Sequence, residues 1–173
     1  YLNRAISSTV APCSSFKLVT AAAAIETIDG LFDMKFDCPG SIEVGGKTIN
    51  CHSTHGSLTL GNALAVSCNC AFAQIVELIG AQKLEQFVKQ FRVTEPISFD
   101  GMTSVSGSFT CTDTAALNTA WAGIGQYLDE INPCAYLTFV GTLAAGGAGV
   151  EPHIVRSVTV GGRTTYEAEA VKT

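Results

Sequence analysis

The spacing of apolar residues predicts helices over most of the chain. Ser14 to Ile28 carries Phe16, Val19, Ala23 and Ile25 on what reads as one buried face, with Ser14 as cap and Gly30 as stop. Leu58 to Val66 and Cys70 to Ile79 read as two further helices, interrupted at Ser67-Cys68-Asn69 and ended by Gly80. Gln82 to Phe91 is amphipathic, with Leu84, Phe87, Val88 and Phe91 on one side. Thr112 or Asp113 caps a helix to about Trp121. Asn132-Pro133 opens another, which runs to Ala145 and ends at Gly146-Gly147.

Alternation replaces helical spacing in two places. Ile42, Val44, Thr48 and Ile49 alternate around Gly45-Gly46, and Ile154 to Val160 and Arg163 to Tyr166 flank Gly161-Gly162. Both read as hairpins. Residues 1–13 and 94–111 read as irregular. The pattern is mainly α, or α+β, with two peripheral β-hairpins. There is no repeat and no separating linker, so residues 1–173 read as a single domain segment.

Composition narrows the class. The 173 residues are 47% hydrophobic and only 14% charged, which excludes a disordered chain. The formal charge of −5, with no cluster of Lys or Arg, argues against a nucleic-acid surface. No apolar run is long enough to cross a bilayer. Cys13, Cys38, Cys51, Cys68, Cys70, Cys111 and Cys134 make an odd count of thiols. A Cys38–Cys51 disulfide is possible across the first hairpin. A zinc site from Cys38, Cys51, Cys68 and Cys70 is a sharper idea, but no Cys-x-x-Cys spacing supports it, and buried reduced thiols are the plainer reading.

The chemistry concentrates in two short motifs. In Ser14-Ser15-Phe16-Lys17, residues i and i+3 share a helix face, so a hydroxyl stands beside an amine. A serine needs a base to become a nucleophile, and a lysine becomes that base when burial lowers its pKa. Ser15 has Leu18 three residues on, which leaves Ser14 as the paired one. Ser67-Cys68-Asn69 lies in a helix break, which presents its side chains. Ser67 could relay a proton there and Asn69 could hold a substrate amide. Taken singly, each motif also arises by chance, the second as an ordinary helix–helix turn.

Taken together, the motifs resemble those of the transpeptidase domain of penicillin-binding proteins, which are serine acyltransferases that cross-link peptidoglycan. Pro12-Cys13-Ser14-Ser15-Phe16-Lys17 resembles the family's nucleophile helix, and Ser67-Cys68-Asn69 its second motif. Phe36-Asp37-Cys38-Pro39-Gly40, the Gly45-Gly46 hairpin, His55-Gly56, Gly123-Ile124-Gly125-Gln126 and Pro152-His153-Ile154-Val155 follow in the family's order. The resemblance implies the nucleophile helix and helical subdomain of that fold, truncated, with most of the central sheet outside this chain. It implies Ser14 as nucleophile, Lys17 as base, Ser67 as proton relay and Asn69 as the substrate-positioning residue. It implies no cofactor and no metal.

The implied partners are the stem peptide of peptidoglycan, β-lactam antibiotics and the rest of the parent polypeptide. Nucleic acid is not among them, and the membrane is met only through a segment outside this chain. The implied location is the extracytoplasmic face of a bacterial membrane. Two departures stand out. Cys13 occupies a position where the family has Gly, and the third motif, Lys-Thr-Gly, is missing. Lys47-Thr48 continues to Ile49, and Lys172-Thr173 follows Val155 too soon to match the family's layout. The segment alone is therefore expected to be inactive. A β-lactamase or β-lactam-sensor relative, or a non-catalytic interaction module, would share the remaining residues.

Other polar residues have plainer readings. His52, His55 and His153 suit turn hydrogen bonding better than a triad or a metal. Asp113 suits a helix cap, and Asp129 and Glu130 an exposed, solvated pair. Trp121 and Tyr127 suit packing beside the Gly125-Gln126 turn.

Overall fold

The computed structural model describes residues 1–112 and 114–169. In chain order the helices are α1 (Arg4–Ser7), α2 (Lys17–Thr27), α3 (Leu60–Ala65), α4 (Asn69–Ile79), α5 (Ala81–Gln90), α6 (Ala116–Gly123) and α7 (Pro133–Ala144). The strands are β1 (Phe36–Cys38), β2 (Ser41–Val44), β3 (Lys47–Asn50), β4 (Gly56–Leu58), β5 (Ser98–Phe99), β6 (Met102–Thr103), β7 (Ser157–Val160) and β8 (Arg163–Glu167). Among the described residues they pair only two by two: β1 with β4, β2 with β3, β5 with β6 and β7 with β8. The mainly helical reading and both expected hairpins are present. The β1–β4 pair and the β5–β6 hairpin were not expected, because their strands are too short to show alternation.

The residues gather into two compact units. One comprises residues 11–91 and 108–130 and contains both chemical motifs. Its centre is α4, with Phe72 and Ile75 wholly buried and Val76 nearly so, packed by α2, α6 and β1. Each such side chain contributes about 1.5–3 kcal/mol by leaving water. Thr20 on α2 donates to the carbonyl of Gly123 on α6 at 2.6 Å. A Cβ at Gly123 would overlap Val76, so only glycine lets α6 approach α4 this closely. On α2, Val19 and Ala23 are buried as expected, but Ile25 is 50% exposed. Two residues past Ala23, it lies about 200° around the helix.

Several caps differ from expectation. Ser14 lies in a 3-10 turn, Cys13–Phe16, that leads into α2 without a side-chain cap. Helix α6 begins at Ala116 rather than just after Thr112. The amides of Cys111 and Thr112 donate to Glu85 at 3.4 and 3.2 Å, which holds the chain off a helical course there. Asp113 lies outside the described residues, as do Lys172 and Thr173.

The other unit comprises residues 1–10, 92–107 and 131–173, described to Glu169. Asn132 caps α7 through Oδ1, which accepts from the amides of Cys134 and Ala135 at 3.1 and 3.3 Å, and Pro133 follows at the first helical position. The Asn132 side-chain amide donates to the carbonyls of Ile6 and Ser8, which ties the otherwise irregular start of the chain and its short α1 to α7. Asp100, at a positive φ of 48°, accepts from the amides of Ile154 and Val155. Every residue of β7 and β8 is exposed.

Candidate active site

The four residues expected to carry the chemistry come together in the first unit. Ser14 lies in the 3-10 turn, where residues i and i+3 nearly eclipse. Lys17 Nζ is therefore 3.1 Å from Ser14 Oγ. The same amine lies 2.9 Å from the carbonyl oxygen of Ser67, 3.0 Å from its Oγ and 2.7 Å from Asn69 Oδ1. An ammonium has three N–H donors. Four oxygen neighbours exceed that number, so the Ser14 hydroxyl need not be held as an acceptor.

Lys17 is 1% exposed, whereas Ser14 is open to solvent. Burial pushes the Lys17 amine below its ordinary pKa, opposed by the negative charge Cys51 and Cys68 would carry as thiolates. The Phe72 ring, 5.8 Å from Nζ, supplies the apolar wall on one side. The arrangement is a solvent-facing hydroxyl backed by a desolvated amine.

Ser67 owes its position to the end of α3. Its amide donates to Leu64 O at 3.0 Å, and the next amide, of Cys68, donates to Ala63 O at 2.9 Å. This is a Schellman closure, and its left-handed position ordinarily belongs to glycine. Ser67 fills it at φ 52°. Holding a side-chain residue there costs about 1–2 kcal/mol, and the hydroxyl is what the site gains. Asn69 then opens α4, with Oδ1 toward Lys17 and Nδ2 donating to Asn50 O at 3.0 Å. Those two partners fix the orientation of its amide group.

Cys13, at φ 50°, shows why the preceding position favours glycine: the turn into Ser14 is left-handed. Cys13 is an exposed free thiol. Sequence reasoning undervalued Gly125, whose φ is 80°. A Cβ on Gly125 would overlap the Cys13 carbonyl and the Phe16 side chain, so its bare backbone buttresses the turn that carries Ser14. Phe16 in turn stacks on Phe109, with ring centroids 5.1 Å apart.

Other expectations change. Asp129 is buried at 3% exposure instead of solvated. Desolvation pushes it up to about 7, although the Tyr127 amide donates to Oδ2. Glu130 is exposed. All seven cysteines are free thiols, so Cys38 and Cys51 are not bridged. His52 and His55 meet edge to face at 4.8 Å, and His55 turns its Nδ1 toward thiols. Burial pushes Cys68 and Cys70 up to about 12. Cys51 is also raised by burial, but the backbone amides of Asn69, Ser53 and Cys70 outweigh this and bring it down to about 7.

The similarity to known proteins covers nearly the whole chain. Peptidoglycan D,D-transpeptidase PbpA of Mycobacterium tuberculosis is 30% identical over 166 residues, which cover 90% of this chain and 33% of that protein. Stage V sporulation protein D of Bacillus subtilis is 28% identical over 159 residues, covering 89% of this chain and 24% of that protein. The D,D-transpeptidase domain of a peptidoglycan glycosyltransferase from Eggerthella lenta superposes with a TM-score of 0.86 at 27% identity, over 99% of this chain and 46% of that one. The imipenem acyl-enzyme complex of penicillin-binding protein A from M. tuberculosis shares the fold, with a TM-score of 0.88 at 23% identity, over 99% of this chain and 41% of that one. The chain thus spans between about a quarter and a third of the length of these curated relatives. Residues 1–173 match the family model for the penicillin-binding protein transpeptidase domain, and with the paired motifs folded into one cluster, the chain belongs to that family.

Proposed function

We propose that this chain supplies the nucleophile and the proton-transfer groups of a peptidoglycan D,D-transpeptidase, as one segment of its catalytic domain. The convergence of the buried Lys17 amine on Ser14, Ser67 and Asn69 supports this reading. Ser14 Oγ attacks the carbonyl between the two D-alanines of a stem peptide, and neutral Lys17 takes the hydroxyl proton. The tetrahedral oxyanion is met by the Ser14 backbone N–H at the turn before α2. The C–N bond then breaks, Ser67 passes a proton from Lys17 to the departing D-alanine, and the acyl group stays on Oγ. Asn69 holds the substrate backbone. An amine of a neighbouring stem peptide attacks the ester, releases Ser14 and completes the cross-link.

β-Lactams acylate Ser14 by the same first step, as imipenem acylates the M. tuberculosis neighbour. The ring C–N bond that breaks leaves its amine tethered to the acyl group. The work is done at the extracytoplasmic face of the membrane. The 173 residues include no Lys-Thr-Gly, whose family role is to bind the substrate carboxylate and lead into the second oxyanion donor. Losing one such donor costs about a hundred- to a thousand-fold in rate, so the segment alone turns over negligibly.

Labelling with a fluorescent penicillin tests the proposal on the full-length parent. Stable labelling that Ser14→Ala abolishes is the expected result. Equal labelling of Ser14→Ala would overturn it, as would absence of label on a folded parent. Rapid release of the label would reassign the site to a hydrolase.

A further inference from the structure

Beside the second motif, four soft donors converge. Cys38 Sγ lies 3.4 Å from His55 Nδ1, Cys51 Sγ lies 3.6 Å from the same nitrogen, and Cys51 and Cys68 Sγ are 3.9 Å apart. All four donor atoms lie within 4.8 Å of one another. A tetrahedral zinc with Zn–S about 2.3 Å and Zn–N about 2.0–2.1 Å sets its ligand atoms about 3.8 Å apart for S to S and about 3.6 Å for S to N. The Cys38–His55, Cys51–His55 and Cys51–Cys68 separations lie close to those edges. We infer that Cys38, Cys51, His55 and Cys68 form a structural zinc site of the Cys3His type.

The backbone explains how distant cysteines meet. Register places Cys38 of β1 opposite Gly56 of β4, and the His55 amide donates to Cys38 O at 3.1 Å. The β2–β3 ladder continues through Cys51 N to Gly40 O at 2.9 Å, which carries Cys51 back toward Cys38. Cys68 arrives from the start of α4 and accepts from the Ala71 amide at 3.4 Å. Such an N–H to sulfur contact orients a ligating thiolate. Cys38 and Cys68 are buried, while Cys51 and His55 are partly exposed, which gives an ion a way in.

The spacing is Cys38-x12-Cys51-x3-His55-x12-Cys68. Only the Cys51-x3-His55 pair has the short interval typical of zinc motifs. Sequence reasoning chose Cys70 over His55, and without a Cys-x-x-Cys pair it set the metal aside. Three sulfurs and one imidazole nitrogen in a tetrahedron suit zinc over the hard cations. Binding displaces three thiol protons and joins the hairpin region to Cys68, the middle residue of Ser67-Cys68-Asn69. The ion would pin the strained loop that holds both active-site side chains.

The test uses protein containing this chain, purified without a polyhistidine tag or chelator, with metal measured by plasma mass spectrometry. About one zinc per chain is expected, falling at least roughly tenfold in Cys51→Ser and in His55→Ala but unchanged in Cys134→Ser. Because ligand variants can misfold, wild-type protein stripped of metal under reducing conditions is alkylated with and without added Zn2+. Protection of Cys38, Cys51 and Cys68, with Cys134 unaffected, supports the site. Zinc well below one per chain after supplementation, together with unchanged alkylation, overturns it. So does a Cys51–Cys68 disulfide in freshly purified protein. Neither readout depends on transpeptidation, so a chain that fails to label with penicillin can still bind the ion.

Discussion

The α-carbon of Gly125 stands against the carbonyl of Cys13, with no room for a methyl group between them. A loop more than a hundred residues away in sequence thus sets the height of the turn that carries Ser14. Gly125→Ala adds an overlap with backbone and places a side chain at a positive φ. It is expected to destabilise the protein by about 2–4 kcal/mol and to slow acylation of Ser14 by penicillin at temperatures where the fold persists. Thermal denaturation and labelling rates, measured together, check both effects.

Cys13 should respond in the opposite sense. Its φ of 50° is costly for any residue with a Cβ, and its thiol is exposed. Cys13→Gly relieves the backbone while giving the unfolded chain more freedom, so the net gain is about 0.5–1 kcal/mol. Urea denaturation should show a higher midpoint at unchanged slope. A lower midpoint would mean that the thiol makes a favourable contact.

On the proposed mechanism, Lys17 sets the pH dependence of acylation. Desolvation lowers its pKa, so the neutral form that accepts the Ser14 proton is populated at lower pH than in a free lysine. The acylation rate of protein containing this chain should rise with pH through that lowered value and level off above it. Lys17→Arg retains a charge that cannot be shed, and the rate should fall about a hundred- to ten-thousand-fold at every pH. A rate profile for Lys17→Arg that still rises as in the wild type would assign the base elsewhere.

Asp129 makes the fold more stable in mild acid than at neutrality. Its pKa is raised to about 7 in the folded chain, against 3.8 as the ordinary value. Between those values the folded state binds the extra proton, so stability falls as pH rises from about 4 to about 7 and is flat beyond. Asp129→Asn keeps the acceptor for the Tyr127 amide and removes the buried charge. Its new NH2 group faces the position of Oδ1, which has no partner. The gain at pH 8 is therefore only about 1–2 kcal/mol. The clearer sign is loss of the pH slope in denaturation midpoints measured at pH 5 and pH 8.

Local signals were legible where one residue type has one cheap use. Asn132-Pro133 opened α7, Gly80 closed α4, and Gly45-Gly46 turned β2 into β3, as the sequence implies. The Ser14–Lys17 pairing was legible too, because i and i+3 meet in either an α or a 3-10 turn. Contacts made across long intervals were not. Nothing near Gly125 in sequence reveals that Cys13 lies on top of it. His55 gave no sign that β1 and β4 would carry it to Cys38. Asp129 looked solvated because its burial depends on what covers it rather than on its neighbours in the chain. The Ser67 break was visible as a break, but its left-handed closure of α3 emerges only from the hydrogen bonds of Ser67 and Cys68.

The β7–β8 ribbon has consequences for handling the chain. Val158, Val160 and Tyr166 lie open to water on a two-stranded sheet. Among the described residues this ribbon has two free margins, and each can accept a strand from another molecule. A preparation of this chain by itself is therefore expected to be adhesive. Its solubility limit should rise when Val160, at the turn, is exchanged for lysine, a change that leaves every residue of the Ser14 cluster untouched.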